Sequence, residues 1–143
     1  MNEEILLPFF GTMMLTLLVW LYMYVKRLAY IAANDVDIQS LPTPEAIQAN
    51  LPQSINNPSN NLKNLFELPV IFYALCLYLY LTAQTDPVHI FCAYTFFIGR
   101  SIHSVIQCTV NRVPYRFTAY LISSLALWVM VVRCFVGLVL SQF

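Results

Sequence analysis

Long apolar runs separated by short polar breaks are the first feature of the chain. Residues 5–24 read ILLPFFGTMMLTLLVWLYMY without a charge, and residues 68–81 read LPVIFYALCLYLYL. A third run opens at Pro87, continues through HIFCAYTFFIG and ends in the polar stretch RSIHSVIQC, and a fourth extends from Tyr115 to Leu140. A helix crosses the hydrocarbon core of a bilayer in about 20 residues, and only helices or closed barrels satisfy their backbones there. Barrel strands alternate apolar and polar positions, and these runs do not. The pattern predicts an all-α chain, a single domain over 1–143 folded as a four-helix transmembrane bundle, with helices over about 5–30, 61–83, 87–109 and 115–140.

The connections differ in kind. TAQTDP joins the second and third helices and TVNRVPY the third and fourth, with Pro87 and Pro114 suited to first helical turns. Links this short force antiparallel neighbours. Residues 34–60 are polar and rich in Asn, Gln and Pro, which predicts a loop outside the bilayer with a short helical turn near Pro44–Gln48.

Composition sharpens the membrane reading. Apolar residues make up 59% of the 143 positions and charged residues 10%, against roughly 25% charged in a soluble domain. Seven basic and seven acidic side chains cancel, which excludes an electrostatic grip on nucleic acid. Lys26, Arg27, Lys63, Arg112 and Arg116 gather at one end of the predicted bundle, while the connections at the other end carry Glu3, Glu4 and Asp86 and no Lys or Arg. The positive-inside rule makes the basic end cytoplasmic and both termini non-cytoplasmic. The first helix lacks a basic start and a small-residue cleavage site, so it reads as retained rather than removed as a signal peptide.

Ionisable groups inside a membrane cost about 2.5–3.5 kcal/mol each at the centre and need a reason to be there. Arg100, His103 and Gln107 share one face of the third helix, Asn60, Lys63, Asn64 and Glu67 one face at the start of the second, and Arg116 and Tyr120 one face of the fourth. The topology brings all three to the cytoplasmic level. Two readings stay open at this point. Glu67 pairs with Arg100 and holds two helices in register, with Asn64 and His103 completing the network, or the groups bind a small zwitterion with more than one carboxylate.

The stretches NNLKNLFELP and GRSIHSVIQCTVNRVPYRFTAY resemble the MAPEG family, the membrane-associated proteins of eicosanoid and glutathione metabolism. Asn64 and Glu67 match the N-x-x-E part of its second-helix motif, Arg100 and His103 its R-x-x-H turn, and Pro114, Arg116 and Tyr120 its P-x-R-x-x-x-Y stretch. The resemblance implies a homotrimer of four-helix bundles with glutathione between subunits near the cytoplasmic face. It implies a transferase or peroxidase acting on lipophilic electrophiles that arrive through the lipid. By position, Lys26 (or Arg27) and Lys63 would meet glutathione carboxylates. Asn64, Glu67, Arg100, His103 and Tyr120 would bind the rest of the tripeptide, and Arg116 would hold its thiol as the thiolate. A guanidinium in a low dielectric lowers a thiol pKa, which is what such a role requires.

Departures from the family pattern accompany the matches. Asn60, Asn61 and Leu62 stand where the motif has R-A-H, Lys63 replaces an arginine, Gln107 a tyrosine and Phe117 a serine. They point to a diverged, bacterial-type member, in the inner membrane rather than the endoplasmic reticulum. They also support a rival reading, a non-catalytic lipid-binding scaffold or accessory subunit of a larger membrane complex. A small transporter ranks third, since the pattern shows no broken helix.

The remaining features carry less. Cys76, Cys92, Cys108 and Cys134 form no C-x-x-C pair and read as buried small hydrophobes, and two histidines make no metal site. His89 reads as interfacial. Arg133 sits far from the cytoplasmic layer and either snorkels outward or pairs across a subunit boundary. Gly11 and Gly137 are expected at close helix contacts.

Overall fold

Proline fixes where most of the helices begin. The computed structural model describes residues 3–141. A 3-10 turn over Glu3–Ile5 leads into α1 (Leu6–Ala33), followed by a 3-10 turn at Ile38–Ser40, α2 (Pro44–Asn50), α3 (Gln53–Leu65), α4 (Leu68–Leu81), α5 (Pro87–Cys108) and α6 (Val113–Leu140). Proline occupies the first or second position of α2, α4, α5 and α6, where the missing N–H has no intrahelical partner to lose. Asp86 caps α5 by accepting from the His89 backbone N–H at 2.9 Å, and Thr43 caps α2 through Ala46. Among the described residues the chain is all-α, with no strand.

Two boundaries differ from the pattern reading. The polar segment after residue 52 is helical: α3 begins at Gln53, inside the expected loop, because Asn57, Asn61 and Asn64 recur on one face and find partners on α5 and on the turn that follows it. The predicted second helix is also interrupted at Phe66 and Glu67, with Glu67 at φ −97°, ψ −103° and Pro69 immediately beyond. Proline at 69 cannot donate to the carbonyl of Leu65, so the ladder stops there.

Three stretches are long and apolar enough to cross a membrane, Glu3–Ala33, Gln53–Leu81 and Val113–Leu140, and only 33%, 28% and 22% of their most apolar windows are buried. These helices turn apolar side chains outward. The fourth long helix, α5, does not meet that standard of hydropathy, and its position explains why. It packs against α1, α3 and α6 and buries ten of its residues, Arg100, His103, Ser104 and Gln107 among them. A helix shielded by its neighbours tolerates polar residues that a lipid-facing one does not.

The interior is divided along α5. Toward its N-terminus, Ile5, Phe9, Phe72, Cys76, Leu79, Ala93, Phe96, Leu127 and Met130 form an apolar core, in which Phe72 and Phe96 stack at 4.3 Å. Toward its C-terminus the buried groups are polar. Gly99 makes the α5–α6 approach possible, since a Cβ there would lie 2.9 Å from that of Ser123. Gly11 does the same for α1 against Phe97, also at 2.9 Å, whereas Gly137 has no neighbour within 4 Å, so the expected contact there is not made within this chain.

Candidate functional site

The polar half of the interior is built from three helices and one turn. Asn61 and Asn64 reach from α3 to α5, where Ser104 Oγ donates to Asn61 Oδ1 at 3.2 Å and Asn64 Nδ2 lies 3.2 Å from Gln107 Oε1. His103 bridges α5 to α6, with Nδ1 2.8 Å from the Arg116 carbonyl and Nε2 2.8 Å from the Gln107 side chain. A carbonyl only accepts, so Nδ1 carries the proton. Arg116 Nη1 donates to Asn111 Oδ1 at 2.5 Å, and Asn111 Nδ2 donates to Asn57 Oδ1 at 3.1 Å. Asn111 adopts a left-handed backbone, φ 47°, a conformation asparagine tolerates better than most residues. The turn thereby ties α6 back to α3.

Arg100 is the anomaly of this layer. Its side chain is fully buried, one nitrogen donates to the Asn64 carbonyl, and the guanidinium carbon lies 4.9 Å from the Tyr120 ring centroid. Among the described residues its Nε and Nη1 have no hydrogen-bond partner. The expected partner, Glu67, acts on it only through longer-range charge attraction. Glu67 is exposed at the start of α4, and among the described residues no ion pair joins it to Arg100. The helix break accounts for this, because Glu67 lies beyond the end of α3 and no longer continues the inward stripe of Asn57, Asn61 and Asn64.

Asn64, His103, Gln107, Arg116, Phe117 and Tyr120 line a cavity of about 210 Å³. On another face of α3, under the 34–52 connection, Arg27 and Lys63 line a larger cavity of about 470 Å³ with Gln48, Asn56 and Leu62. Arg27 Nε is buried there without a partner. A third, apolar groove of about 480 Å³ runs between α5 and α6 past Ile98, Ile102, Ile106 and Ile122.

Five of the expected site residues therefore come together: Asn64, Arg100, His103, Arg116 and Tyr120. Lys63 belongs to the second cavity and Glu67 to neither. Lys26 has a structural task. Pro58 inside α3 has no N–H to give the Ser54 carbonyl, and Lys26 Nζ donates to that oxygen at 3.3 Å. Arg27, the alternative at that turn, is the one that reaches a cavity.

Residues 5–136 match the MAPEG family. The chain belongs to that family. No curated protein and no solved structure matches it. With three helical stretches apolar enough to span a bilayer, it is an integral membrane protein of the MAPEG family. Sequence reading missed Asn57, Asn61, Ser104 and Asn111 as members of the polar layer. The Asn57–Asn61–Asn64 stripe, at helical spacing, was the available signal for the first two. Nothing in the sequence marks Asn111, whose role comes from the turn. Arg133 is settled within the chain: its Nη2 lies 2.5 Å from Asp86 Oδ2, so it neither snorkels alone nor needs a second subunit.

Proposed function

We propose that this MAPEG protein is a glutathione-dependent transferase or peroxidase acting on lipophilic electrophiles, with the cavity at Arg116 as its thiol-binding half-site. The observation that carries the reading is Arg100, a buried guanidinium with two nitrogens left over. A buried unpaired cation is costly, and an anionic ligand relieves it. The donors lining the cavity fit a small peptide with two carboxylates: the Arg116 guanidinium, the amides of Asn64 and Gln107, an imidazole and the Tyr120 phenol, with Arg100 buried against the Tyr120 ring beside them. Bound glutathione would supply a thiol whose thiolate form is the nucleophile. Arg116 stabilises that negative charge, Arg100 balances a carboxylate, and the surrounding helices exclude water.

The size of the cavity argues for a second copy. About 210 Å³ is below the roughly 300–1,000 Å³ typical of drug-sized ligand sites. The Arg27–Lys63 cavity opens on a different face of α3, so a homotrimer would set one subunit's Arg27 and Lys63 beside another's Arg116. In the same reading α5 is the fourth transmembrane helix, both termini are non-cytoplasmic and the membrane is the bacterial inner membrane. Membrane lipid delivers the electrophile along the apolar α5–α6 face.

The test is conjugation of glutathione to 1-chloro-2,4-dinitrobenzene by detergent-purified protein. Arg116→Ala is expected to lower kcat about a hundredfold, the scale for losing one preorganised charge stabiliser. A wild type with no turnover contradicts the catalytic reading. Two observations favour the rival, a non-catalytic scaffold or accessory subunit: Arg116 is already held by Asn111, and Phe117 lines the cavity where the family offers a hydroxyl. That reading gains if glutathione binds without turnover, or if one membrane partner co-purifies and Arg116→Ala does not release it.

A further inference from the structure

The opposite end of the bundle holds a second group of reactive side chains. Counting along α6, Cys134 is eighteen residues beyond Arg116, about 27 Å at the helical rise. Cys134 is a free, half-buried thiol, and its Sγ lies 3.7 Å from His89 Nε2 across the α5–α6 interface. The other ring nitrogen of His89, Nδ1, lies 3.0 Å from Asp86 Oδ1. Asp86 also accepts from the His89 backbone N–H and pairs with Arg133.

The chain of contacts runs thiol, imidazole, carboxylate, the arrangement in which a base takes a proton from a nucleophile and an acid group orients the base. The contact between Nδ1 and Asp86 is a charge contact rather than an aligned hydrogen bond, and Nδ1 has no other partner. It gains strength only when the imidazole is cationic, as it is after receiving the thiol proton. Partial burial pushes the Asp86 carboxyl up. The His89 N–H and the Arg133 guanidinium outweigh that and hold it below the usual carboxylate range. Arg133, next in the chain to Cys134, places a positive charge near the sulfur and opposes the charging of His89. The turn bearing Glu3 and Glu4 packs against α5 at this end and adds negative charge.

We propose that Cys134, His89 and Asp86 form a covalent capture site for membrane-dissolved α,β-unsaturated carbonyl compounds. Apart from Arg133, the outward side chains on this part of α6 are apolar, Phe135 being 66% exposed, so an apolar electrophile can reach Cys134 from the lipid. Acyl transfer needs free N–H groups to hold an oxyanion, and the backbone around Cys134 is engaged in the helix. Conjugate addition spreads the charge over an enolate instead. His89 Nε2 takes the thiol proton, the sulfur bonds to the β-carbon as the carbon–carbon π bond opens, and the imidazolium returns the proton to the α-carbon. Nothing leaves and nothing is oxidised. The site works without glutathione and without Arg116.

The experiment is labelling of the full-length, detergent-purified protein with N-ethylmaleimide, an uncharged, membrane-permeant α,β-unsaturated carbonyl compound, each cysteine being followed by peptide mass spectrometry from about pH 5.5 to about 9. An ordinary thiol gains about tenfold in rate per pH unit below its pKa. Cys134 is expected to reach a plateau at a lower pH than the other three cysteines and to label at least about tenfold faster near neutrality than buried Cys108. His89→Gln is expected to remove the plateau and slow Cys134 about tenfold at neutral pH. Asp86→Asn is expected to weaken the plateau. A wild-type Cys134 rate that climbs tenfold per unit with no plateau overturns the proposal and needs no variant to interpret. So does a His89→Gln protein with normal helical content and an unchanged profile.

Discussion

The two ends of the bundle each hold an arginine, exposed at one end and buried at the other, and they treat it differently. At the α4–α5 turn, Arg133 has a carboxylate, Asp86, which also caps α5 and faces His89. At the other end Arg100 has a backbone carbonyl, an aromatic face and two idle nitrogens. The first arrangement is complete within one chain. The second is incomplete, and on the function proposed above a ligand completes it. A buried pair that loses one partner is strongly destabilised, and the proposed ligand would give Arg100 the carboxylate that no ion pair supplies among the described residues.

Mutation at each end sharpens this contrast. The largest stability effect belongs to the complete end. Asp86→Ala removes the α5 cap and the Arg133 partner together and is expected to cost about 2 kcal/mol, read as a fall in Tm in detergent. Roughly half of that is capping. The ion pair, whose partners are 44% and 37% exposed, adds at most about 1 kcal/mol after solvent screening. The pH dependence follows from the same residue. The folded Asp86 carboxyl titrates below its unfolded value, so its stabilisation is full above about pH 4 and is lost as the pH falls through the lower, folded value. Asp86→Asn should flatten that acid limb of the Tm profile while keeping the cap.

The incomplete end should behave in the opposite sense. Arg100→Met fills the same volume without a charge and is expected to raise stability by about 1 kcal/mol, as apolar replacements of buried ions often do. A loss of stability like that of Asp86→Ala would break the comparison and make Arg100 a structural member. The smallest effect tests the outer turn without touching its charges. Ala83 sits at φ 55° after α4, a conformation that disfavours a Cβ. Ala83→Gly is therefore expected to stabilise by about 0.5 kcal/mol, with no change in the Asp86-dependent acid limb.

Much of this was legible in the sequence. The apolar runs, the prolines at the helix starts and the one-sided basic residues foretold the all-α membrane architecture, and the R-x-x-H and P-x-R-x-x-x-Y spacings placed Arg100, His103, Arg116 and Tyr120 together. What stayed hidden depended on contacts between distant segments. The Glu67–Arg100 pairing was a sound inference from an unbroken helix, and the break before Pro69 undid it. Lys26 reads as a ligand-binding cation until Pro58 is seen to leave the Ser54 carbonyl without a donor. Arg133 could not be assigned while Asp86, on another element, had no known position relative to it. The contact of Cys134 with His89 was out of reach because the two are forty-five residues apart.

The most direct test of the central claim is calorimetry of glutathione binding to the detergent-purified oligomer, wild type beside Arg100→Met. The account predicts that the wild type binds in the millimolar range or tighter. Arg100→Met, though as stable or more so, should bind at least about tenfold more weakly, the cost of removing one charge-assisted contact. No binding by the wild type, or equal binding by both proteins, would contradict it and make the polar layer a structural network.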